Sequence, residues 1–343
     1  MKKFLNALPL AIAVLVAISS VVYTSFAVIS APQKNPLVES QGGSAPLKNL
    51  LETENFLNFE AQNSSQKGEN AILVNANPQD AQGKIYEQFL SPYSAKLAYN
   101  GIYVKNNTGL DISIKDELLK DFSLKISKNS GPQVLIVHTH ATESYLSEER
   151  NFYTANDKSR DTNNENNVTE IGEIVANKLK AAGIGVIHDR TQHDHPAYNG
   201  SYSRAKTTIC EYLKKYPSIK IVLDIHRDSI AMNETDRCKP TVSILGKKAA
   251  QVMLVMGSET GTVTNFPNWR QNFRLALRFQ QTMESLYPGL ARAMVLCSRC
   301  YNENLTTGSM ILEVGTDSNT FEEACYSAEL AGSALVSLLG SLK

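Results

Sequence analysis

From Pro132 onward, short apolar runs of strand length alternate with longer segments whose apolar residues recur at helical spacing. Val134-Leu-Ile-Val137 is uninterrupted and apolar. Val168, Ile171, Val175, Leu179 and Ala182 then fall on one face of a helix, with Asn167 and Glu170 placed to cap its start and Gly183 to end it. Further strands are predicted over 185–188, 219–225, 241–245, 251–256, 293–296 and 310–314. Helices are predicted over 203–215, 270–286 and from Thr320 to the C-terminus. Strands fully covered on both faces read as continuous apolar runs, so this alternation predicts an α/β domain with a mainly parallel sheet and helices on both faces.

The rest of the chain divides by composition. Lys2 and Lys3 precede a stretch free of charge from Phe4 to Gln33, long enough for the ~20 apolar residues of a membrane span. Residues 1–31 are therefore expected to form an N-terminal transmembrane helix. The two lysines keep its start cytoplasmic and place everything after it outside. The alternative, a cleaved signal peptide ending near Ala27 or Ala31, exports the same part. Residues 32–83 are polar and read as a flexible linker. Residues 84–130 read as a small leading subdomain, and 131–343 as the catalytic domain.

Charge excludes one class of partner. The chain has 34 basic and 34 acidic residues and no Lys/Arg run, so nothing predicts nucleic-acid binding. Five cysteines cannot pair completely. Cys297 and Cys300 form a CxxC without the second pair that a structural zinc site needs. They read as structural residues, with room for one disulfide.

In open α/β sheets, ligands bind beyond the carboxyl ends of strands, and three predicted strands deliver titratable residues there. The first runs into His138-Thr-His140-Ala-Thr-Glu143, the second into His226-Arg-Asp228, and the third carries Glu313. Such charges are costly to bury unless paired or bound to metal. Two histidines and a carboxylate are the set that a catalytic zinc takes, with one position left for water. His140, Glu143 and His226 are the expected Zn2+ ligands, and Glu313 the general base. Glu165 is a rival carboxylate ligand, and His138 could replace or support His140. His188, His193 and His195 read as surface or substrate-rim residues. Asp224 is expected to point to the opposite face from the site. Arg227 and Asp228 are placed to orient ligands or to hold a substrate carboxylate.

The stretches Pro132-Gln-Val-Leu-Ile-Val-His-Thr-His-Ala-Thr-Glu-Ser-Tyr145, Asp224-Ile-His-Arg-Asp228, Tyr301-Asn-Glu-Asn-Leu305, Leu312-Glu-Val-Gly315 and Asn319-Thr-Phe-Glu-Glu-Ala324, in this order, resemble the stage II sporulation protein P family of endospore-forming bacteria. The resemblance covers residue 101 to the C-terminus. It implies a phosphorylase/hydrolase-like α/β fold related to the zinc N-acetylmuramoyl-L-alanine amidases. It implies a peptidoglycan hydrolase that cuts the amide between the muramic lactyl group and L-alanine, and peptide cross-links as well, during engulfment of the forespore. Sporulation proteins D and M are the implied partners. By position, His140 and His226 match the family's metal histidines and Glu313 its catalytic glutamate. The carboxylate ligand stays open between Glu143, as in zinc carboxypeptidases, and Glu165, as in the broader amidase family. Two alternatives remain at this stage: an exported carboxypeptidase or endopeptidase, and a wall-binding scaffold without activity.

Overall fold

The computed structural model describes residues 80–342. The expected anchor, and the expected linker up to residue 79, lie outside the described residues. Among the described residues no helix is long and apolar enough to cross a membrane.

Twelve strands and five α-helices build the described part. The strands are β1 (Ala81–Gln88), β2 (Leu97–Tyr99), β3 (Ile102–Asn106), β4 (Val134–Val137), β5 (Phe152–Thr154), β6 (Val186–His188), β7 (Ile221–Asp228), β8 (Arg237–Ile244), β9 (Lys247–Ala250), β10 (Val252–Gly257), β11 (Met294–Cys297) and β12 (Ser309–Thr316). The helices are α1 (Ile114–Leu119), α2 (Val168–Ala181), α3 (Ser201–Lys215), α4 (Trp269–Leu286) and α5 (Phe321–Ser341).

Eight strands form one sheet in the order β2-β3-β11-β10-β12-β7-β4-β6. The pairs β4/β6, β4/β7, β7/β12, β10/β11 and β3/β11 are parallel, whereas β10/β12 and β2/β3 are antiparallel. The sheet is thus mixed, with parallel pairs in the majority. A second sheet, β5-β1-β8-β9, is also mixed. Residues 84–130 contribute β2 and β3 to one edge of the large sheet and most of β1 to the small one. β1 begins at Ala81, inside the expected linker.

Strand parity assigns the two faces of the large sheet. Val134 and Ile136 of β4, Ile221, Leu223 and Ile225 of β7, and Met310, Leu312 and Val314 of β12 join one buried cluster with α2, α4 and α5. Leu135, Val137 and Val222 face the other way, against Ile209 of α3, with Tyr212 and Leu213 packed on them. Helices therefore lie on both faces. Each fully buried aliphatic side chain contributes ~1.5–3 kcal/mol relative to exposure, so parity on these central strands is strongly fixed.

The predicted N-cap residues Asn167 and Thr320 are in place. The side chain of Asn167 accepts from Thr169 N at the start of α2. Thr320 and Glu323 form a reciprocal capping box at α5, satisfying two amides that a helix start leaves free. Beyond Glu313 the pairing of β12 with β7 shifts register. Gly315, at φ +65°, lies in that shift, and a Cβ there would come within 2.8 Å of Ala250 Cβ. The shift ends the regular ladder just past Glu313, as a β-bulge does.

Candidate metal centre and catalytic site

The parity that buries Leu223 and Ile225 on one face puts Asp224 and His226 on the other, the α3 face. Glu313 pairs directly with His226 across β12 and β7, and it too alternates with the buried Leu312 and Val314. His140 and Glu143 follow β4 in a tight turn in which Glu143 N donates to His140 O at 3.1 Å. Four of the residues expected to act together are thereby brought to one end of β4, β7 and β12.

Glu143 is buried. Its Oε2 accepts from Arg227 N at 3.2 Å and lies 3.4 Å from His226 Nδ1. Burial alone would raise its pKa, but His226, Arg227 and His140 outweigh this and hold the carboxyl down at about 2. His140 is buried, and its Nδ1 has no hydrogen-bond partner. Burial, then the neighbouring His226, lowers its pKa to about 4, so the ring is neutral and able to donate a lone pair. The rings of His140 and His226 stand 5.2 Å apart, nearly perpendicular. His226 is held between two carboxylates: burial would lower its pKa, but Asp224 and Glu143 raise it well above the ordinary value. Glu313 has an Oε2 that is buried without a partner. Desolvation pushes its carboxyl up to about 8, against the opposing pull of His226 and with Asp228 adding to the rise.

Two histidines and a carboxylate, the donor types that a catalytic zinc takes, lie close together here. The 3.4 Å between Glu143 Oε2 and His226 Nδ1 exceeds a good N–H···O bond of ~2.9 Å. It matches the ~3.4 Å between two donors on a tetrahedral ion with bonds of ~2.1 Å. His140 Nδ1 is a third, unsatisfied donor beside them. Among the described residues, no group of three His, Cys, Asp or Glu side chains is placed to hold a metal ion, so the ligand set is not closed in this structure.

Glu165 is exposed, and its amide bonds to the Asn163 side chain in the loop before α2. His138 follows the parity of Ile136 onto the opposite face. There Nδ1 lies 2.9 Å from Ile225 O and Nε2 lies 2.9 Å from His188 Nε2, and burial and His188 lower its pKa to about 3. With both ring nitrogens engaged, His138 neither replaces nor directly supports His140. His188 is buried as a side chain and bonds Glu173. His193 is buried between His138 O and Thr208 Oγ1. The surface reading therefore survives only for His195, which is exposed. Arg227 spends Nε on Ser144 O and Nη2 on Ser159 O, and its Nη1 lies 3.9 Å from Glu143. It buttresses the Glu143 turn through Ser144 and Ser159. All five cysteines are free, so the disulfide for which the sequence leaves room is not formed.

Sequence reasoning misplaced Asp224. It accepts from Thr139 N at 2.8 Å and from Thr139 Oγ1 at 2.6 Å, and its Oδ1 is 2.9 Å from His226 Nε2. That last contact lies off the line of an aligned hydrogen bond. Three tyrosines also went unread. Tyr198 stacks on His140 at 4.5 Å, Tyr202 at the start of α3 stands edge-on to it at 5.6 Å, and Tyr301 neighbours Tyr202 at 5.7 Å. The Arg160 guanidinium lies 4.7 Å over Tyr198. Their signal in the sequence was weak, because Tyr301 lies about a hundred residues beyond Tyr198 and Tyr202.

Among solved structures, an N-acetylmuramoyl-L-alanine amidase from Clostridium difficile 630 is similar at 15% identity and a TM-score of 0.37, covering 62% of this chain and 100% of that one. The AmiC2 amidase of Nostoc punctiforme is similar at 11% identity and a TM-score of 0.36, covering 61% and 96%. The Stage II sporulation protein P of Bacillus subtilis (strain 168) is 30% identical over 209 residues, which are 58% of this chain and 49% of the relative. The match thus spans about half the length of that relative. The sequence model of the Stage II sporulation protein P family matches residues 23–335, nearly the whole chain, and the chain belongs to that family.

Proposed function

We propose that this chain is a zinc-dependent peptidoglycan hydrolase that cuts the N-acetylmuramoyl-L-alanine amide. The observation that carries the proposal is the meeting of His140, Glu143 and His226 with Glu313, whose carboxyl has a buried, unpartnered oxygen. His140, through Nδ1, Glu143 and His226 would hold the ion. When bound, it would polarise the scissile carbonyl and acidify water.

The chain's own groups supply the proton transfer. Glu313 lies where desolvation makes its carboxylate a strong proton acceptor. It takes the proton of the attacking water at Oε2 and returns it to the departing alanine nitrogen, as an amide requires before its amine can leave. Arg227 anchors the Glu143 turn through Ser144 and Ser159, which limits the reorganisation needed for metal binding. The tyrosine row beside His140 provides flat apolar surface at the site.

Family membership supports a role in sporulation. The setting we propose is septal wall remodelling during forespore engulfment, with sporulation proteins D and M as partners and cleavage of peptide cross-links as a further activity. The uncharged stretch from Phe4 to Gln33 after two lysines supports a single-pass anchor in the cell membrane, with the catalytic part outside. The test is incubation of the purified protein with cell-wall sacculi, with and without a chelator. New amino termini on alanine that disappear on chelation and return with zinc are expected. Release that is unchanged by chelation contradicts the proposal, and cleaved cross-links without free alanine would indicate a peptidase instead.

A further inference from the structure

Tyr198 keeps more than half of its surface in solvent, at 53% exposure, yet its ring is stacked on the buried ring of His140 at 4.5 Å. An aromatic ring left open to water at a candidate site offers a flat apolar surface to a ligand. The loop that carries the ring is braced from two sides. Asp194 accepts from Thr142 Oγ1 at 2.6 Å, in the turn between His140 and Glu143. Arg204 of α3 donates Nε to His193 O at 2.6 Å, Nη1 to Asn199 O at 3.2 Å, and Nη2 to Ala197 O. Tyr198 is thus presented on a fixed support, and residues 195–200 around it are all exposed.

The surroundings of the ring favour a neutral ligand. The cation beside it is Arg160, 4.7 Å from the ring centre. Arg160 is already paired with Asp194 and lies 3.9 Å from Glu143, so a carboxylate-bearing peptide gains little there. Its partly exposed guanidinium can still donate to hydroxyl or carbonyl oxygens. A flat apolar ring with a donor at its rim complements a sugar ring, whose C–H face is apolar and whose edge carries hydroxyls.

Strand order decides which half of the substrate comes here. Tyr198 follows β6, and the strands run β6, β4, β7, β12 across the sheet. His140 and Glu143 follow β4, His226 lies on β7, and Glu313 on β12. Tyr198 and Glu313 therefore flank the site from opposite sides. Glu313 serves the departing alanine nitrogen, so the stem peptide lies on the β12 side. The acyl half of the same amide, the lactyl group with its sugar, then extends towards β6. We propose that the exposed ring of Tyr198 seats the muramic sugar, with Arg160 donating at its rim, and so sets the direction in which the scissile amide enters. The assignment rests on the hydrolase reading above.

The test is a ligand-observed NMR titration of the full chain, kept in chelator so that nothing is cleaved, with the two halves of the substrate offered separately. One is the methylamide of N-acetylglucosaminyl-N-acetylmuramic acid, without peptide; the other is the stem peptide acetylated on its alanine. The wild type is expected to bind the glycan half. Tyr198→Ala should weaken that binding at least ~5-fold and change binding of the peptide half by less than about twofold. Tyr198→Leu, which keeps an apolar contact with His140 but no flat face, should weaken it likewise, whereas Tyr198→Phe and Tyr198→Trp should stay within about twofold of the wild type. Absence of glycan binding in the wild type overturns the assignment, as does unchanged affinity in Tyr198→Ala and Tyr198→Leu. A loss in Tyr198→Phe as large as in Tyr198→Ala overturns stacking, and a loss confined to the peptide half overturns the direction. Glycan binding that depends on Tyr198, in a protein that releases no peptide from sacculi with zinc, keeps the sugar seat while the hydrolase reading falls. Zinc-dependent release without any effect of Tyr198 on glycan binding removes the sugar seat alone.

Discussion

Asp224 and His226 stand two residues apart on β7, share one face of the sheet, and bring Oδ1 within 2.9 Å of Nε2. Thr139, just past β4, holds the Asp224 carboxylate with two donors. The pairing leaves His226 Nδ1 as the nitrogen facing Glu143, and carboxylates behind metal-bound histidines characteristically fix the ring and raise its basicity. Asp224→Asn should weaken zinc binding by ~10- to 100-fold without loss of the fold. Chelator competition on the purified variant measures this. Affinity equal to wild type would confine Asp224 to anchoring Thr139.

Glu313→Gln removes the proton acceptor and should lower kcat by ~10²–10⁴-fold while zinc stays bound. The same variant has a pH signature in the chelated protein. The folded-state pKa of Glu313 is raised from 4.5 to about 8, so its contribution to stability is fully present below pH 4.5 and is lost as pH rises through 8. Thermal melts at pH 5 and pH 9 should therefore show Glu313→Gln gaining on the wild type at the higher pH. A difference that does not change with pH contradicts the buried placement of that carboxyl.

The two histidines of the His-Thr-His stretch should separate cleanly. His138→Ala leaves Ile225 O and His188 without their partner and opens a cavity, so it should cost about 2–4 kcal/mol in chemical unfolding yet retain zinc. His140→Ala should lose zinc and change the stability of the chelated protein by less than about 1 kcal/mol. The reverse pattern would exchange their roles.

That separation marks where the sequence was legible. Apolar runs such as Val134–Val137 and Ile221–Leu223 announced the central strands, because strands buried on both faces are filled mostly by apolar side chains. The helix starts at Asn167 and Thr320 were readable because capping is local chemistry. Strands β5 and β9 were missed because three or four residues acquire strand geometry only from partners far away in sequence, as Phe152 does from Lys84. At the site, strand-end placement singled out His140, Glu143, His226 and Glu313, and the structure brings these four to one end of the sheet. Two errors came from parity. His138 follows Ile136 onto the α2 face, because the chain turns before His140. Asp224 shares the face of His226, because residues two apart on a strand always do.

Gly172 makes room for the buried His138–His188 pair. A Cβ there would lie 2.5 Å from His138 Nε2 and 2.8 Å from His188 Nε2. Gly172→Ala should therefore destabilise by about 1–3 kcal/mol, although alanine is the better helix former by ~1 kcal/mol. Denaturant unfolding checks the sign, and a stabilised variant would show that the pair repacks freely.

The zinc content of the purified protein, wild type against His226→Ala, tests the metal centre most directly. One equivalent of zinc per chain in the wild type, with loss of it in the folded variant, is the predicted result. A wild type that binds no zinc, or a variant that keeps its full equivalent, would contradict the site built on His140, Glu143 and His226.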